Sequence, residues 1–369
     1  MEKRRIMKKI ICSPGSYIQG NGEIKNLADY YTQLGSKGAY IIVDKFIYDT
    51  YKPDIESSFI EKKIPYSLQI FGGECSMQEI EKHKNLLGAN DAVIGIGGGK
   101  TLDTAKAVSY YPGFPVMIVP TAASTDAPCS RLSVIYKENG EFEKYLPLRA
   151  NPDIVAIDTD IIAKAPVRFL MAGIGDAFAT YYEAEACAKS NSLTMPGGHA
   201  TLAALALARL CLETIKADGI KAKASAENKV STQALENVVE ANTYLSGIGF
   251  ESSGLAAAHA IHDGLTVLEE THNLLHGEKV AFGALTQLVL ENRSSEEIED
   301  AVVFLRKCSL PTTLKELNLD NISDSELMKA AKASCAENDT MGNMPFDVTP
   351  RDVFAAMKTA DRIASDLTV

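Results

Sequence analysis

The sequence predicts an α/β protein: an N-terminal Rossmann-like domain with a mostly parallel sheet, followed by an all-α C-terminal domain. Three observations carry this expectation. Short, continuous apolar runs rich in β-branched residues recur at 39–43, 92–96, 116–119 and 154–157, as in strands buried on both faces. Helix-like segments separate the first of these runs, the alternation that builds a parallel sheet. From about Pro166 onward the runs stop, and Ala-, Leu- and Glu-rich helical periodicity takes over. A chain of 369 residues is long for one small core. The expected division is residues 1–165 as the α/β domain and 166–369 as the helical domain, with a ligand cleft between them.

Bulk properties exclude several classes. A net charge of -11 disfavours nucleic acid or an acidic membrane surface as partner, because phosphates are repelled. No apolar run is long enough to span a bilayer. The basic stretch Met1–Ile10 has no apolar core of a secretion signal behind it; Met7 is a candidate start, with the residues before it an exposed tail. Seven dispersed cysteines with no C-x-x-C pair suit free thiols in the cytoplasm.

Taken in order, the run Ala39–Val43 ends at Asp44, where a carboxylate can accept from an adenosine ribose or simply cap a turn. Ser76 and Glu79 form a capping box for a helix from Met77 to Leu87. The run Ala92–Ile96 leads into Gly95-Ile-Gly-Gly-Gly-Lys-Thr-Leu-Asp103. Glycines there let the backbone approach a phosphate, and the helix start offers free N–H groups. Two familiar patterns nearly fit and fail: a P-loop needs glycine where Ile94 stands, and G-x-G-x-x-G needs glycine in place of Lys100. The triple glycine still reads as a pyrophosphate cradle, against the plainer reading of a tight turn. The run 116–119 opens into the small, hydroxyl-rich loop Pro120–Ser130, with Asp126 as a binding carboxylate or an Asx-turn residue. Leu132–Tyr136 and Glu141–Tyr145 flank Asn139-Gly140, a hairpin signal.

The helical half is expected as Arg168–Ala188, Ala200–Ala217, Thr232–Leu245, Ser253–Leu268, Gly277–Leu290, Ser295–Cys308 and a closing helix capped by Thr349-Pro350 and ending at Ser365. Four of the six histidines (His259, His262, His272 and His276) fall in the fourth of these and in the link to the fifth. Neutral imidazole is the commonest metal ligand. Asp176, inside an apolar helix, is costly unless paired or bound to a cation, which makes it a natural further ligand.

Several segments together resemble the glycerol dehydrogenases of the iron-containing alcohol dehydrogenase superfamily, which share the dehydroquinate synthase-like fold: GGGKTLDTAKA (97–107), PTAASTDAPCSRLSVIY (120–136), GIGDAFATYYEA (173–184), GLAAAHAIHDGL (254–265), HGEKVAFGALTQL (276–288) and NMPFDVTPRDV (343–353). The resemblance implies one catalytic Zn2+ per subunit on Asp176, His259 and His276. It implies NAD on Gly98, Gly99, Lys100, Thr101 and Asp103, with Asp44 at the adenosine ribose and Thr121, Ser124, Ser130, Leu132 and Tyr136 around the nicotinamide. Asp126 would hold substrate hydroxyls and Phe250 wall the pocket, with Asp176, His259 and His276 also touching substrate. The activity implied is reversible oxidation of glycerol to dihydroxyacetone, hydride leaving C2, with other small vicinal diols as further substrates, in a cytoplasmic homo-oligomer, commonly an octamer. Iron-using relatives carry a histidine four residues after the aspartate; Thr180 stands there in this chain, and three protein ligands favour zinc. His262 and His272 are read as supporting rather than ligating. A second departure, Met341-Gly342 in place of isoleucine-histidine, falls at the pocket rim.

Two competing readings remain at this level. The scaffold also serves dehydroquinate synthases and glycerol-1-phosphate dehydrogenases, whose phosphorylated substrates call for more Lys and Arg than these motifs hold. A non-catalytic NAD- or metal-binding protein would have lost a ligand or the glycine loop, and both are intact.

Overall fold

The computed structural model describes residues 7–367, so the basic stretch before Met7 lies outside it. Strand β1 (Ser16–Gly20) is followed by α1 (Leu27–Tyr31), β2 (Ala39–Val43), α2 (Lys45–Lys62), β3 (Tyr66–Ile70), α3 (Met77–Leu86), β4 (Ala92–Gly97), α4 (Gly99–Tyr110) and β5 (Val116–Pro120). Next come the antiparallel pair β6 (Leu132–Tyr136) and β7 (Phe142–Pro147), then β8 (Ile154–Asp158) and α5 (Thr159–Lys164). The rest of the described chain is helical: α6 (Val167–Ser190), α7 (Leu202–Glu227), α8 (Gln233–Glu240), α9 (Ser246–Ser253), α10 (Ala257–Leu265), α11 (His276–Leu290), α12 (Ser295–Lys307), α13 (Asp324–Ala333) and α14 (Pro350–Asp366).

The six-stranded sheet has the order β1-β8-β5-β4-β2-β3 with every pair parallel. From β2 the chain moves outward to β3; from β4 it moves the other way, to β5. The order therefore reverses between β2 and β4, which leaves a crevice at their carboxyl ends where ligands bind in open α/β sheets. Alternation along each strand feeds two faces. Ile41, Val43, Ile94 and Ile96 pack with Leu27 and Tyr31 of α1 and Phe59 of α2. On the other face Tyr40, Ile42 and Val93 meet Leu102 and Val108 of α4. That second core continues into Leu170, Ile174 and Phe178 of α6, Ile215 of α7, Val280 of α11 and Leu305 of α12. A further cluster, including Ile261, Leu327 and Val353, joins α10, α13 and α14.

Some expectations need correction. The edge strands β1 and β3 were not anticipated: their residues are half-buried and mixed in polarity, so neither continuous apolarity nor clean alternation marks them. Helix α2 runs 18 residues through Pro53 on its exposed side. The capping box at α3 is half made: Ser76 Oγ accepts from Glu79 N at 3.2 Å, but the Glu79 carboxylate turns to Gly72 N at 2.7 Å. The expected helix 232–245 passes through a π turn, Ala241–Leu245, straight into α9. The one expected over Ser253–Leu268 is confined to Ala257–Leu265, and α13 went unread. Thr349 caps α14 as expected, with Asp352 returning a bond to Thr349 N at 2.9 Å.

Candidate active site and metal centre

At the sheet's reversal point β4 ends in Gly97, whose φ of +154° only glycine adopts readily, and where a Cβ would stand 2.8 Å from Asp44 Cβ. Gly98 and Gly99 face open space, with nothing within 4 Å of a Cβ on either. Helix α4 starts there with no side-chain cap, so its first N–H groups and positive dipole end are free for an anion. Lys100 stands at this rim, Nζ 2.6 Å from Glu74 and 5.0 Å over the Tyr136 ring; burial pushes the Tyr136 phenol up to about 12. Thr101 is buried under Gly97. Asp44 caps α2, with Oδ1 accepting from Phe46 N at 2.8 Å and Ile47 N at 3.4 Å, so the cap reading is real and leaves Oδ2 for a ligand. Asp103 is turned inward: its buried carboxylate accepts from Val134 N at 3.0 Å and lies 3.5 Å from Lys106 Nζ. It braces β6 through Val134.

The loop after β5 is tied on all sides. Thr121 N donates to Gly97 O at 3.1 Å. Buried Lys106 donates to Ala127 O at 2.7 Å and Leu132 O at 3.1 Å, and Ser130 Oγ donates to Ala127 O. From the helical half, Asn242 Nδ2 donates to Ala123 O at 3.1 Å, and Ser246 Oγ donates to Asp126 Oδ2 at 2.8 Å. Asp126 N donates to Asp176 Oδ2 at 3.2 Å. Burial first, and the Asp176 charge second, push the Asp126 carboxyl well above its ordinary range. Ser124 is half-buried on this loop; Phe250, 7% exposed, lies one helical turn beyond Ser246 on α9.

Asp176, His259 and His276 each bring one ligand atom into a cluster within 4.8 Å. A Cβ at Gly277 would stand 1.8 Å from Ala172 O; only glycine lets the start of α11 lie this close to α6 and sets His276 beside Asp176. His259 Nε2 and His276 Nε2 lie 3.3 and 3.2 Å from Asp176 Oδ1. The other ring nitrogens fix the tautomers. His259 Nδ1 is 2.6 Å from Glu183 Oε2, and His262 Nδ1 is 2.9 Å from Asp263 Oδ1. Carboxylates only accept, so both Nδ1 atoms donate. His262 Nε2 then has only a lone pair, and takes the proton of His276 Nδ1 at 3.0 Å. Both ligand histidines are left with Nε2 lone pairs aimed at the same carboxylate oxygen. Three acceptors converging without a donor is unfavourable unless a cation, or a proton in its stead, lies among them, so the donor set fits a divalent metal. The charges agree. Burial alone would raise the Asp176 carboxyl, but His276 and His259 outweigh it and hold it well below its usual range. Burial opposes protonation of His259, yet Glu183 and Asp176 overcome it and raise that imidazole well above normal. Burial, then His276, push His262 down to about 3, keeping it neutral.

Sequence reasoning missed Glu183, Ser246 and Lys106. Glu183 is fully buried, and its Oε1 also takes Ala256 N at 2.8 Å and His259 N at 3.0 Å. Its signal was available: it lies two helical turns from Asp176 on the same face of an apolar helix. His272 points away and bonds Thr266 O at 3.0 Å. Met341 is buried and Gly342 faces open space. Grooves of about 380 and 340 Å³ elsewhere, one beside Glu213 and Glu240 and one beside Arg306 and Glu316, hold none of the expected site residues.

Residues 14–159 match the family described as iron-containing alcohol dehydrogenase. Over 95% of its length the chain is 54% identical to a glycerol dehydrogenase of Thermotoga maritima, covering 96% of that protein. It is 52% identical to a glycerol dehydrogenase of Citrobacter freundii, over 96% of this chain and 98% of the other. The crystal structure of glycerol dehydrogenase from Schizosaccharomyces pombe superposes with a TM-score of 0.93 at 39% identity, over 97% of this chain and 92% of that one. The glycine-rich strand end, the crevice at the sheet's reversal and the Asp-His-His cluster are thus features of an oxidoreductase, and the chain belongs to the iron-containing alcohol dehydrogenase family, among its glycerol dehydrogenases.

Proposed function

We propose that this protein catalyses reversible NAD-dependent oxidation of glycerol to dihydroxyacetone, with Asp176, His259 and His276 holding a zinc ion. The observation that carries the reading is the convergence of two imidazole lone pairs on one carboxylate oxygen, joined through Asp126 N to the loop that begins beside the glycine-rich start of α4. A divalent cation held by these three residues would supply Lewis acidity toward the alcohol oxygen. NAD supplies the hydride acceptor. The protein's own groups do the rest. Gly98, Gly99, Lys100 and Thr101 offer N–H groups and charge to a pyrophosphate, and Asp44 Oδ2 offers an acceptor to a ribose. Asp126 meets a substrate hydroxyl, while Phe250 keeps water from the pocket and so strengthens each electrostatic contact. Zinc is favoured over iron because Thr180, where a fourth ligand would stand, is committed to Ser246 at 2.7 Å.

On the same reading residues 1–165 carry NAD and 166–369 carry the metal. Seven unpaired cysteines support a cytoplasmic setting. The outward apolar face of α7, with Leu202 80% exposed and Leu210 47%, supports a homo-oligomer. The test is reduced-cofactor formation from glycerol with NAD and with NADP, before and after chelation and zinc add-back. Glycerol-dependent NAD reduction that is lost with the metal and restored by zinc is the expected result. Full turnover by a metal-free His276→Ala protein would overturn it.

A further inference from the structure

Asp126 is gripped from the helical half by a chain of three buried side chains. Thr180 Oγ1 lies 2.7 Å from Ser246 Oγ, which donates to Asp126 Oδ2 at 2.8 Å. Ser246 spends its one proton on the carboxylate, so Thr180 supplies the proton of the other bond. Thr180 and Ser246 are fully buried and Asp126 is 7% exposed. Thr180 stands one turn beyond Asp176 on the same face of α6. Ser246 opens α9 directly after the π turn. The extra residue of a π turn rotates the following helix against the preceding one. Here Asn242 within the turn and Ser246 just after it both reach the same loop, at Ala123 O and at Asp126. The fit around Thr180 is close: a Cβ at Gly249 would stand 2.6 Å from its Cγ2.

These bonds engage the backbone N–H and one carboxylate oxygen of Asp126. Its N–H goes to Asp176 Oδ2 and its Oδ2 to Ser246, while Oδ1 takes no hydrogen bond from the described residues and is not a fully enclosed atom. We propose that Thr180 and Ser246 are positioning residues for substrate selection: they lock Asp126 so that Oδ1 is presented, in one direction, to the second hydroxyl of a vicinal diol whose first hydroxyl lies at the Asp176–His259–His276 centre. The inference rests on the alcohol-oxidising reading above. A carboxylate held in place loses no rotational freedom when the diol binds. A site built to bond a hydroxyl also rejects the analogue that lacks it, because a buried polar atom is left unpaired. The selection is positional and holds whether Oδ1 accepts from the hydroxyl or carries a proton to it.

The experiment compares kcat and KM for propane-1,2-diol and for propan-2-ol, with NAD, in the zinc-loaded wild type and in Ser246→Ala, Thr180→Val and Thr180→Ser. Valine keeps the shape of threonine without its hydroxyl; serine keeps the hydroxyl. The diol-over-monoalcohol ratio of kcat/KM falls about tenfold in Ser246→Ala and Thr180→Val, mainly through KM for the diol, and stays within about twofold of wild type in Thr180→Ser. Propan-2-ol constants, zinc content and melting temperature stay near wild type throughout. An unchanged ratio in both Ser246→Ala and Thr180→Val overturns the proposal, as does an equal loss on both alcohols accompanied by loss of zinc, which marks a purely structural role. A wild type that oxidises neither alcohol overturns the alcohol-oxidising reading itself, and the selection argument with it.

Discussion

At His259 the choice of which nitrogen carries the proton belongs to Glu183, whose carboxylate holds Nδ1 at 2.6 Å while its other oxygen holds the start of α10. Glu183→Gln can offer Nδ1 either an amide oxygen or an amide N–H, so the tautomer is no longer enforced. Metal affinity is expected to fall about 10- to 100-fold with the fold retained, measured by competition with a chromophoric chelator; unchanged affinity would mean that Glu183 only caps α10. A second residue tests a buried neutral imidazole far from this centre. His83 sits between the Tyr40 hydroxyl at 2.8 Å and Glu79 at 2.9 Å, and burial lowers its pKa despite the opposing pull of Glu79. Its folded pKa therefore lies below the unfolded value of about 6.5, so the unfolded chain binds the extra proton. The stability contributed is complete above about 6.5 and is lost as pH falls below it toward the folded value. Urea melts at about pH 7.5 and about pH 5 are expected to show a smaller acid loss in His83→Gln than in wild type. At the residue level, that Asp176, His259 and His276 come together was legible in the sequence, where chemistry and family pattern coincide. The sequence was opaque at Ser246 and Lys106, whose partners Asp126 and Ala127 are set by the path of a loop and leave no periodic trace.

The start of α4 separates two uses of glycine. Gly97→Ala forces a Cβ against Asp44 Cβ and a φ that alanine resists, a strain of about 1–3 kcal/mol. It is expected to lower the melting temperature as well as weaken NAD binding. Gly98→Ala, at an ordinary φ of -83° with open space around it, is expected to leave stability near wild type and raise the NAD Kd about tenfold, by crowding the anion cradle. Equal effects on stability from the two variants would argue that the loop is only a turn. The same contrast marks what could be read among the elements. Buried strands such as β2 and β4 announce themselves by continuous apolar residues. The edge strands, and the π turn that joins α8 to α9, owe their existence to neighbours: β1 is defined by β8 and β3 by β2, and the π turn's Asn242 by the carbonyls of Ala123 and Leu170.

Across the whole molecule the sheet's reversal between β2 and β4 places Asp44 beside Gly97, a juxtaposition that strand patterns alone do not reveal because it depends on strand order. Asp44→Ser keeps a capping hydroxyl for α2 and removes the charge. The preference for NAD over NADP, read as a ratio of kcat/KM, is expected to shrink by about tenfold or more as repulsion of a 2′-phosphate is relieved; an unchanged ratio would restrict Asp44 to its cap. The strands end near residue 165, but the packing does not divide there. Val93 and Leu102 from the sheet side share one core with Ile174, Phe178 and Val280 of the helices. That continuity has a consequence for recombination. A chimera joined at residue 165 to a relative's helical half must match two independently drifting sets of side chains across a packed interior, where a single misplaced methylene is felt. Such hybrids are expected to be less stable than either parent, with Ser246 from one source set against Asp126 from another.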